Sequence, residues 1–216
     1  MNPDVAADRW GGTLHAMTKE QRASITPARL LRRQVVLEEH APRPGGRGAV
    51  VVVRFVHAET YRSHLHLVDV GPSRAAVPLT AGAVRDTSPR ISPDGRQFAF
   101  LRAFPEEPDR PTAVMVGALD GGEPWVLWAP EHGVTELAWS PDGCRLACVA
   151  AGEAARSIIG PETKGRVVTA RRITRADWRW DGVGHRDRWD QVWLVVTRRG
   201  ARSRQLTHAE IGRAHV

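Results

Sequence analysis

Cysteine, lysine and long apolar runs are scarce in this chain. Two cysteines among 216 residues, Cys144 and Cys148, leave no room for a disulfide-dense scaffold. If Cys144-Arg145-Leu146-Ala147-Cys148 is a strand, the two Cα atoms stand roughly 13 Å apart, too far for a bridge. The same parity puts both thiols on the Leu146 face, where they are expected to be buried and reduced; as a metal pair they would lack two further ligands. No 18 consecutive apolar residues occur and the first 25 residues hold no apolar signal core. The expectation is a cytoplasmic protein with no membrane partner. Only 2 of the 31 basic residues are lysine. The formal charge of +7 raises the question of nucleic acid. An arginine bias spread along the whole chain, with many Ala, Gly and Val, also follows from a GC-rich coding sequence, and a nucleic-acid partner is not expected.

What is present is turn chemistry between short apolar blocks. The chain has 20 glycines and 15 prolines, and blocks such as Val50-Val51-Val52-Val53 and Phe98-Ala99-Phe100-Leu101 lie between them. No helical 3.6 period runs through it; the texture is all-β. An internal repeat organises it. Ile91-Ser92-Pro93-Asp94-Gly95-Arg96-Gln97-Phe98-Ala99-Phe100-Leu101 returns 48 positions later as Trp139-Ser140-Pro141-Asp142-Gly143-Cys144-Arg145-Leu146-Ala147-Cys148-Val149, with Thr87 and Thr135 in register. A weaker copy, Pro44-Gly45-Gly46-Arg47-Gly48-Ala49-Val50-Val51, lies 49 positions before the first.

Each unit reads physically as a hairpin. Pro presets φ, Asp bonds nearby backbone and Gly accepts positive φ. The strand that follows, Phe98 to Ala103 in the second unit, is apolar on both faces apart from Arg102, which suits a strand buried between two sheets. A second, more polar strand is expected at Ser63 to Val70 and Thr112 to Leu119, with turns at Gly71-Pro72-Ser73 and Asp120-Gly121-Gly122-Glu123. The unit closes with Val77-Pro78-Leu79-Thr80 or Trp125-Val126-Leu127-Trp128. Four short strands in about 48 residues is the size of a propeller blade. The expected fold is therefore a partial β-propeller of about three blades, spanning 41–209 with repeats near 44–92, 93–140 and 141–208. A lead-in segment, 1–40, precedes it, with a short helix capped by Thr26 and led by Pro27. The third repeat is longer. An extended loop is expected from Ala151 to Gly165, then strands over Arg166 to Ala170 and Arg172 to Trp180, a hairpin turn at Asp181-Gly182-Val183-Gly184, the strand Gln191 to Thr197 and the closing Arg204-Gln205-Leu206-Thr207.

Ser-Pro-Asp-Gly, an apolar strand and a closing Gln-Leu-Thr resemble the propeller repeats of TolB-type proteins and of prolyl oligopeptidase-family serine peptidases. Ile25-Thr26-Pro27-Ala28-Arg29-Leu30-Leu31 resembles the opening of the acylaminoacyl-peptidase and dipeptidyl-peptidase types, and Arg175 to Thr207 resembles a blade they share. The resemblance covers roughly 25–208. It implies a parent hydrolase in which the propeller gates peptide substrates and a following α/β-hydrolase domain supplies Ser, Asp and His. Peptides are then partners of the parent through that domain. A TolB-like interaction propeller without a hydrolase is the alternative reading. None of Ser24, Ser63, Ser73, Ser88, Ser92, Ser140, Ser157 or Ser203 lies in the Gly-x-Ser-x-Gly setting of a nucleophile elbow. The chain is expected to carry no catalytic, cofactor-binding or metal-binding residue.

Several constellations in the sequence could carry chemistry. His64 and His66 share a strand face and could ligate a metal, although a solvated or inter-blade pair is simpler. Trp178, Trp180, Trp189 and Trp193, interleaved with Arg175, Arg179, Arg186 and Arg188, could stack on bases, but arginine stems lying on inter-blade rings explain them without a ligand. Trp189-Asp190 sits outside the repeat phase and is no WD repeat. Asp94 and Asp142 are read as turn caps, and Asp181-Gly182-Val183-Gly184 lacks the strand and helix of a dinucleotide fingerprint.

The tail has no counterpart in the repeats. Glu210-Ile211-Gly212-Arg213-Ala214-His215-Val216 resembles the translation of a widely used sequencing adapter, GAG-ATC-GGA-AGA-GCA-CAC-GTC, which is followed by a stop. If Leu206 is in phase with Leu79 and Leu127, the next Ser-Pro-Asp-Gly is due near position 219. Residues 210–216 are thus expected to be non-native and the reading frame truncated.

Overall fold

The computed structural model describes residues 36–46, 48–69, 76–154, 179–180, 184–185, 188–200 and 202–208, with the backbone alone at 153–154, 179–180 and 184–185. All regular structure among them is β-strand. The expected helix after Thr26, the strand over Arg166 to Ala170 and the tail lie outside the described residues.

The strands form three successive antiparallel groups of four. The first holds β1 (Val36–Pro42), β2 (Gly48–His57), β3 (Thr60–Asp69) and β4 (Val77–Pro78). The second holds β5 (Arg85–Ile91), β6 (Gln97–Ala103), β7 (Ala113–Ala118) and β8 (Trp125–Trp128). The third holds β9 (Val134–Trp139), β10 (Arg145–Ala154), β13 (Arg188–Val196) and β14 (Ser203–Gln205). Between β10 and β13 lies the short antiparallel pair β11 (Arg179–Trp180) and β12 (Gly184–His185); the Gly-rich turn expected at 181–184 falls mostly outside the described residues. A single parallel bridge, Ser63 to Arg85, joins the first group to the second. This is the fold of a β-propeller.

The Ser-Pro-Asp-Gly turn joins the first two strands of a group. Ser92 Oγ accepts the Gln97 N–H at 2.9 Å and donates to the Asp94 carboxylate at 2.6 Å, which also accepts the Arg96 N–H at 3.1 Å. Gly95 sits at φ +71°, where a side chain is strained. Ser140, Asp142 and Gly143 repeat the arrangement, with Gly143 at φ +68°. The turns also stack on one another: Gly95 lies against Pro44 and Gly143 against Pro93, so each glycine meets the proline of the preceding turn. The closing Leu-Thr pairs are a second fastening. Thr80 Oγ1 accepts the Leu65 N–H and Thr207 Oγ1 the Val192 N–H, both at 2.9 Å. Leu79 and Leu206 donate to the carbonyls of the same two residues at 2.8 Å.

Two cores hold the groups face to face. Phe98 and Phe100 point from β6 toward Val50, Val52 and Leu65 of the first group. Ala99 and Leu101, on the other face of β6, pack with Leu137, Leu146 and Cys148 of the third. This explains why β6 is apolar on both faces, as the sequence implied. Each fully buried large side chain is worth about 1.5–3 kcal/mol. Across the second seam, Trp139 Nε1 donates to the Arg90 carbonyl at 2.9 Å and the Trp128 and Trp193 rings lie 5.4 Å apart.

Three expectations are corrected. Strand β10 starts at Arg145, so Cys144 stays in the turn and is exposed; only Cys148 is buried. The same strand runs on to Ala154, because Ala147 to Ala151 pair with Leu194 to Asp190 of β13, so the loop placed from Ala151 begins later. The third strand is more polar in the first group, with Arg62, Ser63, His64 and His66, but β7 is buried from Ala113 to Gly117 since both its faces meet a neighbouring sheet.

Candidate functional site

The connection from the second strand to the third leaves each group at the end opposite the stacked turns. In the first group it is a tight hairpin, Ala58 and Glu59, at φ +48° and +63°. In the second it is the segment 104–112. Between these two connections, at the seam where β3 meets β5, lies an open groove of about 500 Å³. One wall is Glu59 to Tyr61, the other Phe104 and Pro105 with Pro108, and Arg85 lines it from the start of β5.

The longer wall is held in place from three directions. Glu107 N–H donates to the Phe104 carbonyl and Arg110 N–H to the Glu107 carbonyl, both at 2.9 Å. The Arg110 guanidinium lies 3.5 Å from the Phe104 ring centroid, a cation–π contact, and bonds the Glu107 carboxylate at 3.0 Å. Arg62 of the first group pairs with Glu106 of this segment, tying the wall across the seam. Among the described residues the Arg85 guanidinium meets no carboxylate and makes no hydrogen bond, although the residue is exposed. A groove of this size, with one apolar wall and an arginine that forms no ion pair among the described residues, can hold a short anionic chain.

The residues weighed from sequence fall elsewhere. His64 and His66 do share a face of β3. His64 Nε2 lies 2.9 Å from the Gly82 carbonyl and its ring meets Phe55 edge-on, while burial holds the His66 imidazole below its ordinary pKa. No group of three metal-ligating side chains occurs among the described residues. Trp189 is buried and Trp193 packs in the seam with Trp128, whereas Trp178, Arg175 and Arg186 lie outside the described residues. Arg199 lies 5.2 Å over the Trp125 ring, an arginine–tryptophan contact in another place than expected. Asp94 and Asp142 are turn caps, as the sequence implied: the serine hydroxyl first, then a backbone N–H, holds each carboxyl below the usual range. Nothing in the sequence pointed to Glu59 and Tyr61, of the first group, or to Arg85 and Phe104, of the second.

The comparisons agree with the fold. No family model matches the chain. A Bacillus subtilis (strain 168) protein called uncharacterized peptidase YuxL is 28% identical over 169 residues, covering 76% of this chain and 25% of that protein. The chain thus spans about a quarter of the length of the curated relative it matches. Among solved structures, the acylaminoacyl peptidase of Pyrococcus horikoshii is similar over 78% of this chain and 24% of its own, with TM-score 0.57 and 18% identity. A TolB-type structure from Agrobacterium tumefaciens is similar over 81% of this chain and 50% of its own, with TM-score 0.50 and 17% identity. A peptidase and a TolB-type protein are thus among this chain's structural neighbours, a likeness of fold.

Proposed function

We propose that this chain is the propeller portion of a longer serine peptidase of the prolyl oligopeptidase family, acylaminoacyl-peptidase or dipeptidyl-peptidase type, and that it gates peptide access to a hydrolase domain outside this sequence. The observation that carries the reading is the likeness to a peptidase over 76% of this chain but only a quarter of that protein. The internal Ser-Pro-Asp-Gly repeats and the missing nucleophile elbow support it, because together they leave the fold without the chemistry. Cytoplasmic location belongs to the same proposal.

The coding sequence at the intact genomic locus tests it. A frame that continues through further repeats into a Gly-x-Ser-x-Gly hydrolase, and whose product cleaves acyl-peptide or aminoacyl chromogenic substrates until treated with a serine-directed phosphonate, is the expected result. A locus without a hydrolase overturns it in favour of the TolB-like interaction propeller.

A further inference from the structure

We propose that the groove at the β3–β5 seam is a binding site for the free C-terminal carboxylate of a short peptide, with Arg85 as its counter-ion. The idea rests on the peptidase reading for the class of ligand, but on the groove's own geometry for the site.

Three features argue for this occupant. The cavity, about 500 Å³, lies in the size range of small-ligand sites. Its cations are unequally engaged: Arg110 is held by Glu107 and Phe104, whereas Arg85 is exposed in the groove and forms no ion pair among the described residues. A guanidinium presents a planar fork that suits a carboxylate. The wall formed by Phe104, Pro105 and Pro108 is apolar and held in place. Phe104 is held under Arg110, and the Arg62–Glu106 pair spans the seam, so a bound side chain packs on Phe104 and Pro105 without first ordering the loop. Glu59 lines the hairpin wall of the same groove and repels an anion, so the carboxylate is presented to Arg85 and not to the hairpin tip.

Calorimetric titration of the 216-residue chain with N-acetyl-Ala-Ala-Phe as free acid, with its C-terminal amide, and with N-acetyl-Glu-Ala-Phe amide tests the site. The free acid is expected to bind at least about tenfold more tightly than either amide, as loss of a hydrogen bond to a charged group implies. Arg85→Gln should remove the difference while leaving the melting temperature unchanged, since Arg85 is exposed. Equal binding of acid and amide, equal binding of the glutamyl amide, or no saturable binding at millimolar peptide overturns the proposal. Each of those results leaves the hydrolase test at the genomic locus untouched, so the two readings can fail separately.

Discussion

Arg102 grips Asp86 with two nearly parallel hydrogen bonds across β5 and β6, Nε to Oδ1 at 2.7 Å and Nη2 to Oδ2 at 2.9 Å. Asp86 has no exposed surface, the Arg102 side chain is 15% exposed, and the Asp86 carbonyl accepts the buried Ser63 hydroxyl from the neighbouring group at 2.6 Å. Removing one partner strands a charge in the interior. Arg102→Met should therefore cost about 3–5 kcal/mol, whereas Asp86→Leu/Arg102→Met together should recover most of the loss. Urea midpoints at unchanged slope measure it; a double variant as weak as the single one would contradict the account.

Gly117 is a steric requirement of β7. A Cβ there would stand 2.6 Å from Phe98 Cζ and 3.2 Å from Pro124 Cγ. The Phe98 ring has no room to withdraw, being 1% exposed and stacked on Phe100 at 5.5 Å with the planes 14° apart. Gly117→Ala should destabilise by about 1–3 kcal/mol. Adding Phe98→Leu should make the pair of changes less than additive, a coupling that a double-mutant cycle in urea reads directly.

The two cysteines should report two environments. Burial pushes the Cys148 thiol up to about 12, while Cys144 stands exposed in its turn with its N–H on Asp142 Oδ1. At pH 8 an aromatic disulfide reagent should titrate one thiol in the native chain and two in urea. Two fast thiols without denaturant would mean that the core around Cys148 opens readily.

The turn carboxylates give a pH dependence whose sign is fixed. Asp94 and Asp142 have lower pKa values folded than unfolded. Their contribution to stability is complete above the unfolded value of about 3.9 and is lost as pH falls through the folded value. Ser92→Ala removes the leading hydrogen bond, so the Asp94 carboxyl should titrate closer to its ordinary value by carbon-13 NMR, with Asp142 unmoved. An unchanged Asp94 would assign the depression to the Arg96 N–H instead.

The repeats were legible because their turns and inner strands are dictated locally. Pro-Asp-Gly names its own conformation, and Phe98-Ala99-Phe100-Leu101 can satisfy both faces only between two sheets. The strands that open the groups, β1, β5 and β9, were not foreseen as elements. Pro89 and the charged pair Glu38-Glu39 read against a strand, yet each lies where the ladder slips, between Thr87 and Arg90 or between Leu37 and His40. A bulge tolerates both a missing N–H and a charge. A third slip opposite Val149 and Ala150 falls at Thr135. The groove was invisible for a different reason. Arg85 and Phe104 meet through the β5–β6 pairing, where Arg85 stands opposite Ala103, but Tyr61 reaches them only through the bridge from β3 to β5, and no local pattern encodes that approach.

The stacked Pro–Gly contacts of the turns make the two ends of the molecule unequal as hosts for change in length. At the turn end, Pro44 under Gly95 and Pro93 under Gly143 set a fixed spacing, and one inserted residue would break the stack for its neighbour as well as itself. At the other end the equivalent connections run from Ala58 and Glu59, through 104–112, to 155–187. Longer segments there leave every Ser-Asp latch and Leu-Thr fastening in place. The chain has thus one end that keeps time for the repeat and one on which new surface can be grown at the small entropic cost of a longer loop, and it is the second end that carries the groove.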